Sequence, residues 1–176
     1  FTEVEAFCMD AGEGDQYSQH PVEIKPFFKE TVSALQKELG QSSANSLRLL
    51  VDKTIPEKSP LYTEAIKVCM ENLLKELVHA KPSGDIAIRV ASEQNDMKYG
   101  LEISDLSIQL LADQPTDISW NDSWVESIQA NQAELLNSGF NLLRTRDSLR
   151  KSGGQLEICK QEQQIIGFKI LLPLTY

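Results

Sequence analysis

The chain has 176 residues, 41% of them hydrophobic, with 26 Asp and Glu against 17 Lys and Arg and a net charge of −9. That length fits one domain with a full core, and the composition excludes a disordered chain. The acidic balance argues against nucleic acid as a partner and against direct membrane contact, and no apolar run approaches the ~20 residues needed to cross a bilayer.

The three cysteines, Cys8, Cys69 and Cys159, form no CxxC pair, and the two histidines, His20 and His79, stand apart from them. Neither a disulfide framework nor a zinc site is expected. The chain opens at Phe1 without a charged-then-apolar leader, and is expected to be a piece of something longer. Ala11-Gly12-Glu13-Gly14-Asp15 reads as a linker.

Val22-Glu23-Ile24 alternates and meets Pro26, which suits the first turn of a helix. Phe27, Phe28, Thr31, Val32, Leu35 and Leu39 then recur at spacings of three and four, predicting a helix up to a stop at Gly40. Leu47–Val51 reads as a strand and Ile55–Pro60 as a turn-rich connector. From Leu61 to His79, Ala65, Cys69, Leu73 and Leu77 form an i, i+4 line, opposite Lys67, Glu71 and Lys75. Ile86, Ile88 and Val90, then Tyr99, Leu101 and Ile103, alternate about a polar stretch, Glu93–Asp96, that reads as a hairpin turn. The stretch Leu106–Asp122 is mixed. Helices are expected over Ser123–Leu136 and Gly139–Ser152, the second stopped by Gly153-Gly154. Leu156–Ile158 and Ile165–Leu172 close the chain as a hairpin joined by Lys160–Gln163. Strands mix with helices while hairpins dominate, so the expected fold is α+β: a two-layer α/β sandwich, its mixed sheet of about five strands covered on one face by helices.

Three strings carry a resemblance. Asn72-Leu73-Leu74-Lys75-Glu76-Leu77 lies on the second long helix, Leu101-Glu102-Ile103-Ser104-Asp105 on a strand, and Ser138-Gly139-Phe140-Asn141-Leu142 precedes Gly153-Gly154-Gln155-Leu156. With the closing Gly167-Phe168-Lys169-Ile170-Leu171-Leu172-Pro173-Leu174 and the order of elements, the chain resembles the catalytic ATP-binding domain of sensor histidine kinases, a Bergerat-fold ATPase, from about Pro21 to Leu174. The resemblance implies residues 1–20 as a linker or the end of a preceding helical hairpin, and 21–176 as the ATPase-like domain. It also implies a cytoplasmic location, ATP and magnesium as cofactors, and as partners the phospho-acceptor helical hairpin of the parent kinase, absent here, with a response regulator or another kinase.

Carried over residue by residue, the resemblance makes Asn72 the retained catalytic Asn of the family's Asn-x-x-x-Asn-Ala helix. The second, magnesium-binding Asn is Glu76 here, a carboxylate that suits Mg²⁺ but repels a bare triphosphate. Asp105 takes the place of the adenine-binding Asp, with Ser107 and Gln109 where the family has glycines. Gly139 and Asn141 fall on two glycines of the phosphate loop. From the residues alone, Asn72 and Glu76 also fit a solvated helix side. Arg144, Arg146, Arg150 and Lys151 fit a helix whose C-terminal end favours cations, or a docking face for an acidic partner. The departures imply a degenerate domain with weak or absent ATP binding and a regulatory or scaffolding role. The alternative is an active Mg-ATP-binding kinase domain phosphorylating a histidine on a separate dimerisation domain. A partner-switching serine kinase of the same fold is a third reading.

Overall fold

The computed structural model describes residues 18–41, 43–81, 83–98, 101–116, 118 and 140–174. In chain order these form β1 (His20–Glu23), α1 (Ile24–Leu39), β2 (Ala44–Val51), β3 (Lys58–Leu61), α2 (Thr63–Ala80), β4 (Ser83–Lys98), β5 (Leu101–Ala112), α3 (Phe140–Lys151), β6 (Gln155–Gln161) and β7 (Gln164–Pro173). Five strands make one sheet in the order β2-β4-β5-β7-β6, with β2 parallel to β4 and the other pairs antiparallel. This is the α+β sandwich with a mixed sheet that the sequence predicts.

Period-two alternation decides which face the helices cover. Ile86, Ile88 and Val90 of β4, Leu106, Ile108 and Leu110 of β5, and Phe168, Ile170 and Leu172 of β7 are at most 2% exposed. They join Phe28 of α1 and Ile66, Met70, Leu73 and Leu77 of α2 in one core. Removing a buried leucine from such a core costs about 2–5 kcal/mol. The intervening residues carry the polar face, where Lys169 Nζ meets Glu93 at 2.6 Å and Glu157 at 3.9 Å. Glu93 lies on β4 and Lys169 on β7, so their contact passes over β5. The small Ser107, between their register positions, is 2% exposed, on the face opposite the buried Leu106 and Ile108.

Several boundaries differ from the sequence expectation. α1 starts at Ile24, and Pro26 sits third in its first turn, where backbone N–H groups have no helical partner to lose. Within the expected connector, Lys58–Leu61 is a strand, β3, paired antiparallel with β1 in a separate two-stranded sheet. Pro21 opposes Pro60 in it, and a pair of outer strands tolerates the missing donors. The expected turn at Glu93–Asp96 is strand instead: β4 runs on to Lys98, which pairs with Leu101 across an irregularity after Asn95. β5 continues through Asp105 to Ala112, well into the stretch read as mixed. The helix expected over Ser123–Leu136 and both tryptophans lie outside the described residues.

The outer strand β2 has a side chain as its neighbour. Gln36 of α1 accepts from the Leu47 N–H at 2.6 Å and donates from Nε2 to the Asn45 carbonyl at 3.1 Å. One amide thus supplies the donor and the acceptor that a further strand would bring to the sheet edge. Gln36→Ala removes both bonds and is expected to lower stability by about 1–3 kcal/mol in urea denaturation.

The closing hairpin turns on Glu162 and Gln163, at φ 52° and 68°. A type I′ turn needs both central residues in this left-handed region, which Asn and Gly occupy most readily. Replacing the pair by Asn-Gly is expected to raise the thermal midpoint, with a gain of about 0.5–1 kcal/mol.

Candidate functional site

Asn72 and Glu76 lie four apart on α2, on the flank that carries Cys69 one turn earlier. Asn72 is half-buried and Glu76 is 9% exposed and engaged within the fold. The plain solvated helix side is therefore corrected: the solvated side of α2 carries Lys67, paired with Glu64 at 3.5 Å, and Lys75, paired with Glu71 at 3.0 Å. Cys69 meets α3 beside the Ser148 hydroxyl.

α3 packs on α2 through Leu142, Thr145 and Leu149, each at most 1% exposed. The helix ends in a Schellman motif: Gly154 N donates to Leu149 O at 2.7 Å and Gly153 N to Arg150 O at 3.0 Å, with Gly153 at φ 75°. Arg144, Arg150 and Lys151 are exposed on its outer side and Arg146 is half-buried. Asn141 falls in the first turn of α3, and Gly139 lies outside the described residues.

Asp105 is not where a strand-end acid would be. It sits within β5, opposite Glu93 on one side and Pro173 on the other. It shares the parity of Ser107 and Gln109, on the face away from the helices, whereas Leu106 and Ile108 face α2. The structure therefore does not bring Asp105 together with Asn72 and Glu76. The strand carries seven further residues to Ala112, roughly 25 Å beyond Asp105.

The acid that does follow the strand is Asp113, which the sequence reading missed. Ala112 pairs with Ile86, so Asp113 arrives beside the start of β4, next to the C-terminal end of α2 that holds Glu76. Gly84 there has φ 108°, and a Cβ on it would stand 3.0 Å from Asp113 Oδ2. Lys81 Nζ donates to Gln114 Oε1 at 3.0 Å, and Asn45 Nδ2 donates to the Lys81 carbonyl at 2.8 Å. The chain then turns through Pro115 to Thr116, whose N–H and hydroxyl both bond the Ile165 carbonyl, at 2.9 and 2.7 Å. The signal was available: Ile108, Leu110 and Ala112 continue the alternation of Leu106 up to an acid followed by a Pro turn.

As hard oxygen donors, Asn72 and Glu76 suit Mg²⁺ in kind. Among the described residues, however, no three His, Cys, Asp or Glu side chains converge on a metal position. The glycine positions that would follow Asp113 hold Pro115 and Asp117.

Burial pushes the Cys69 thiol up to about 12, while the neighbouring Ser148 hydroxyl acts weakly the other way. Ser148 Oγ is itself buried and has no hydrogen-bond partner of ordinary geometry. The folded chain keeps the thiol proton where the unfolded chain releases it. Stability is then fully present below the unfolded thiol value and falls as pH rises above about 9. Cys69→Ala is expected to remove that alkaline loss in denaturation curves at pH 7–10.5. Folded wild-type Cys69 is expected to resist alkylation.

No family model and no curated protein sequence matches the chain. Solved structures do. The Acinetobacter baumannii histidine kinase AdeS matches with a TM-score of 0.56 at 15% identity, covering 99% of this chain and 74% of that one. The catalytic domain of histidine kinase ThkA, in a nucleotide-free form, matches with a TM-score of 0.54 at 16% identity, over 88% of this chain and 95% of that one. The cytoplasmic segment of histidine kinase QseC matches with a TM-score of 0.52 at 13% identity, over 88% and 77%. The chain has the fold of histidine kinase catalytic domains over most of its length. Among the described residues no helix is long and apolar enough to cross a membrane.

Proposed function

We propose that this chain is a histidine-kinase-type catalytic domain whose nucleotide site is degenerate, and that it works by contact, as a regulatory or scaffolding module of two-component signalling. The observation that carries this reading is the exit from β5. A nucleotide needs close backbone approach after the strand-end acid, and glycine is the residue that allows it. Here Pro115, with its ring and fixed φ, and Thr116, bonded into the end of β7, occupy that stretch. The half-built metal position on α2 agrees, since Glu76 brings a negative charge to the place of a neutral amide and is already engaged in the fold.

In this reading Asp113 replaces Asp105 as the counterpart of the adenine-binding acid, and Gly139 and Asn141 mark what is left of the phosphate loop. ATP and Mg²⁺ bind weakly or not at all. The partners are the phospho-acceptor helical hairpin of the parent kinase, a response regulator or another kinase, and the location is cytoplasmic. The alternative, an active Mg-ATP kinase domain, is favoured by the retention of Asn72 on α2 and of an acid at the end of β5.

Calorimetric titration with ATP and Mg²⁺ distinguishes the two. No saturable heat up to millimolar nucleotide, with the thermal midpoint unchanged, is the expected result; micromolar binding overturns the degenerate reading. If binding is seen, Asp113→Asn is expected to weaken it about tenfold or more, because an amide offers one acceptor fewer. Asp105→Asn, on the other face of the sheet, is expected to leave it unchanged.

A further inference from the structure

Two cavities, of about 370 and 320 Å³, lie between α1 and α2, away from the end of β5. Both are bounded by Leu35, Glu38 and Glu71, so they join into one groove along the two helices. Leu74 and Val78 line one end and Phe27 and Ala34 the other. From Phe27 to Leu39 the groove follows α1 for about 18 Å, the length of a helix of about three turns.

The two walls differ in charge. On α2, Lys67 and Lys75 are answered by Glu64 and Glu71. On α1, Glu30 and Glu38 line the groove and make no ion pair among the described residues. They stand eight residues apart, about 12 Å along the helix. A helix laid alongside would place two residues of one flank, seven or eight positions apart, at that same separation.

We propose that this groove docks an amphipathic helix of a partner protein, its apolar stripe against Val78, Ala34 and Phe27 and two Lys or Arg of one flank facing Glu30 and Glu38. This is helix-in-groove recognition, with apolar burial supplying affinity and the acidic wall supplying orientation. A second copy of this chain is a poor occupant. Its cationic helix, α3, has Leu142 and Leu149 buried against its own core, and two chains of net charge −9 repel. The groove is separate from the end of β5, so the proposal stands whether or not nucleotide binds there.

The test is selection from a displayed library of helical peptides of about sixteen residues, with apolar residues varied along one stripe and Lys, Glu, Gln and Ser varied on both flanks. Selection is run in parallel on the wild-type chain and on Ala34→Trp, which fills the groove from an exposed position without entering the core. Enrichment of Lys on one flank at a spacing of seven or eight, absent on Ala34→Trp, is the expected result. The Kd of a selected peptide is expected to rise roughly tenfold in Glu30→Lys/Glu38→Lys, with the melting curve of the variant confirming that it is folded. No enrichment, equal enrichment on Ala34→Trp, or preference for Glu overturns the proposal. So does sedimentation showing a wild-type dimer that Ala34→Trp dissolves, which would give the groove to a second copy.

Discussion

α2 lies against the face of the sheet that holds its fully buried apolar side chains. Ala65, Ile66, Cys69, Met70, Leu73 and Leu77 have no exposure at all, and the strands beneath present Ile, Val, Leu and Phe at every second position. This one-sided burial is the constraint from which the rest follows. It sets the strand register, because a slip by one residue would turn Arg89, Gln109 and Lys169 into the core. It leaves the far face polar, where Lys169 draws β4, β6 and β7 together through its two carboxylates. It also fixes which residues of β5 face α2 and which acid reaches the end of that helix.

The fold class was legible because periodicity of 3.6 and of 2 alternate clearly along the chain. What escaped sequence reading had physical reasons. β1 and β3 are four residues each and contain proline, too short for a period to show. Glu93–Asp96 looks like a turn because it is polar, yet its backbone continues the ladder, with Glu93, Gln94 and Asn95 opposite Asp105, Ser104 and Ile103. The same lengthening places Asp105 inside β5 rather than at its end. Once the hairpin is lengthened, the acid beside α2 is Asp113. The pairing of Gln36 with β2 joins residues of a helix and a strand through an amide, and no local pattern encodes it.

The candidate site was less legible than the fold for a related reason. Asn72 and Glu76 came from the resemblance to the family's helix motif, and the structure keeps them on one flank of α2. Their meaning, however, depends on burial and on what arrives from β5 and α3. At the α2–α3 contact Thr145 lies between Leu142 and Leu149 at 1% exposure, and the buried Cys69 thiol sits beside Ser148 and stays protonated.

The length of the β4–β5 hairpin has a consequence for how the molecule opens. β4 pairs with β2 only as far as Val90, and β5 pairs with β7 only from Asp105 onward. Among the described residues, the ribbon beyond them, from Gln94 to Lys98 and from Leu101 to Ile103, has ladder pairing only between its own two strands. It can therefore separate without disturbing the core, so its amides exchange with solvent hydrogen through local opening rather than global unfolding. Hydrogen exchange is thus expected to be faster in this ribbon than in the sheet and helix layer that buries the core.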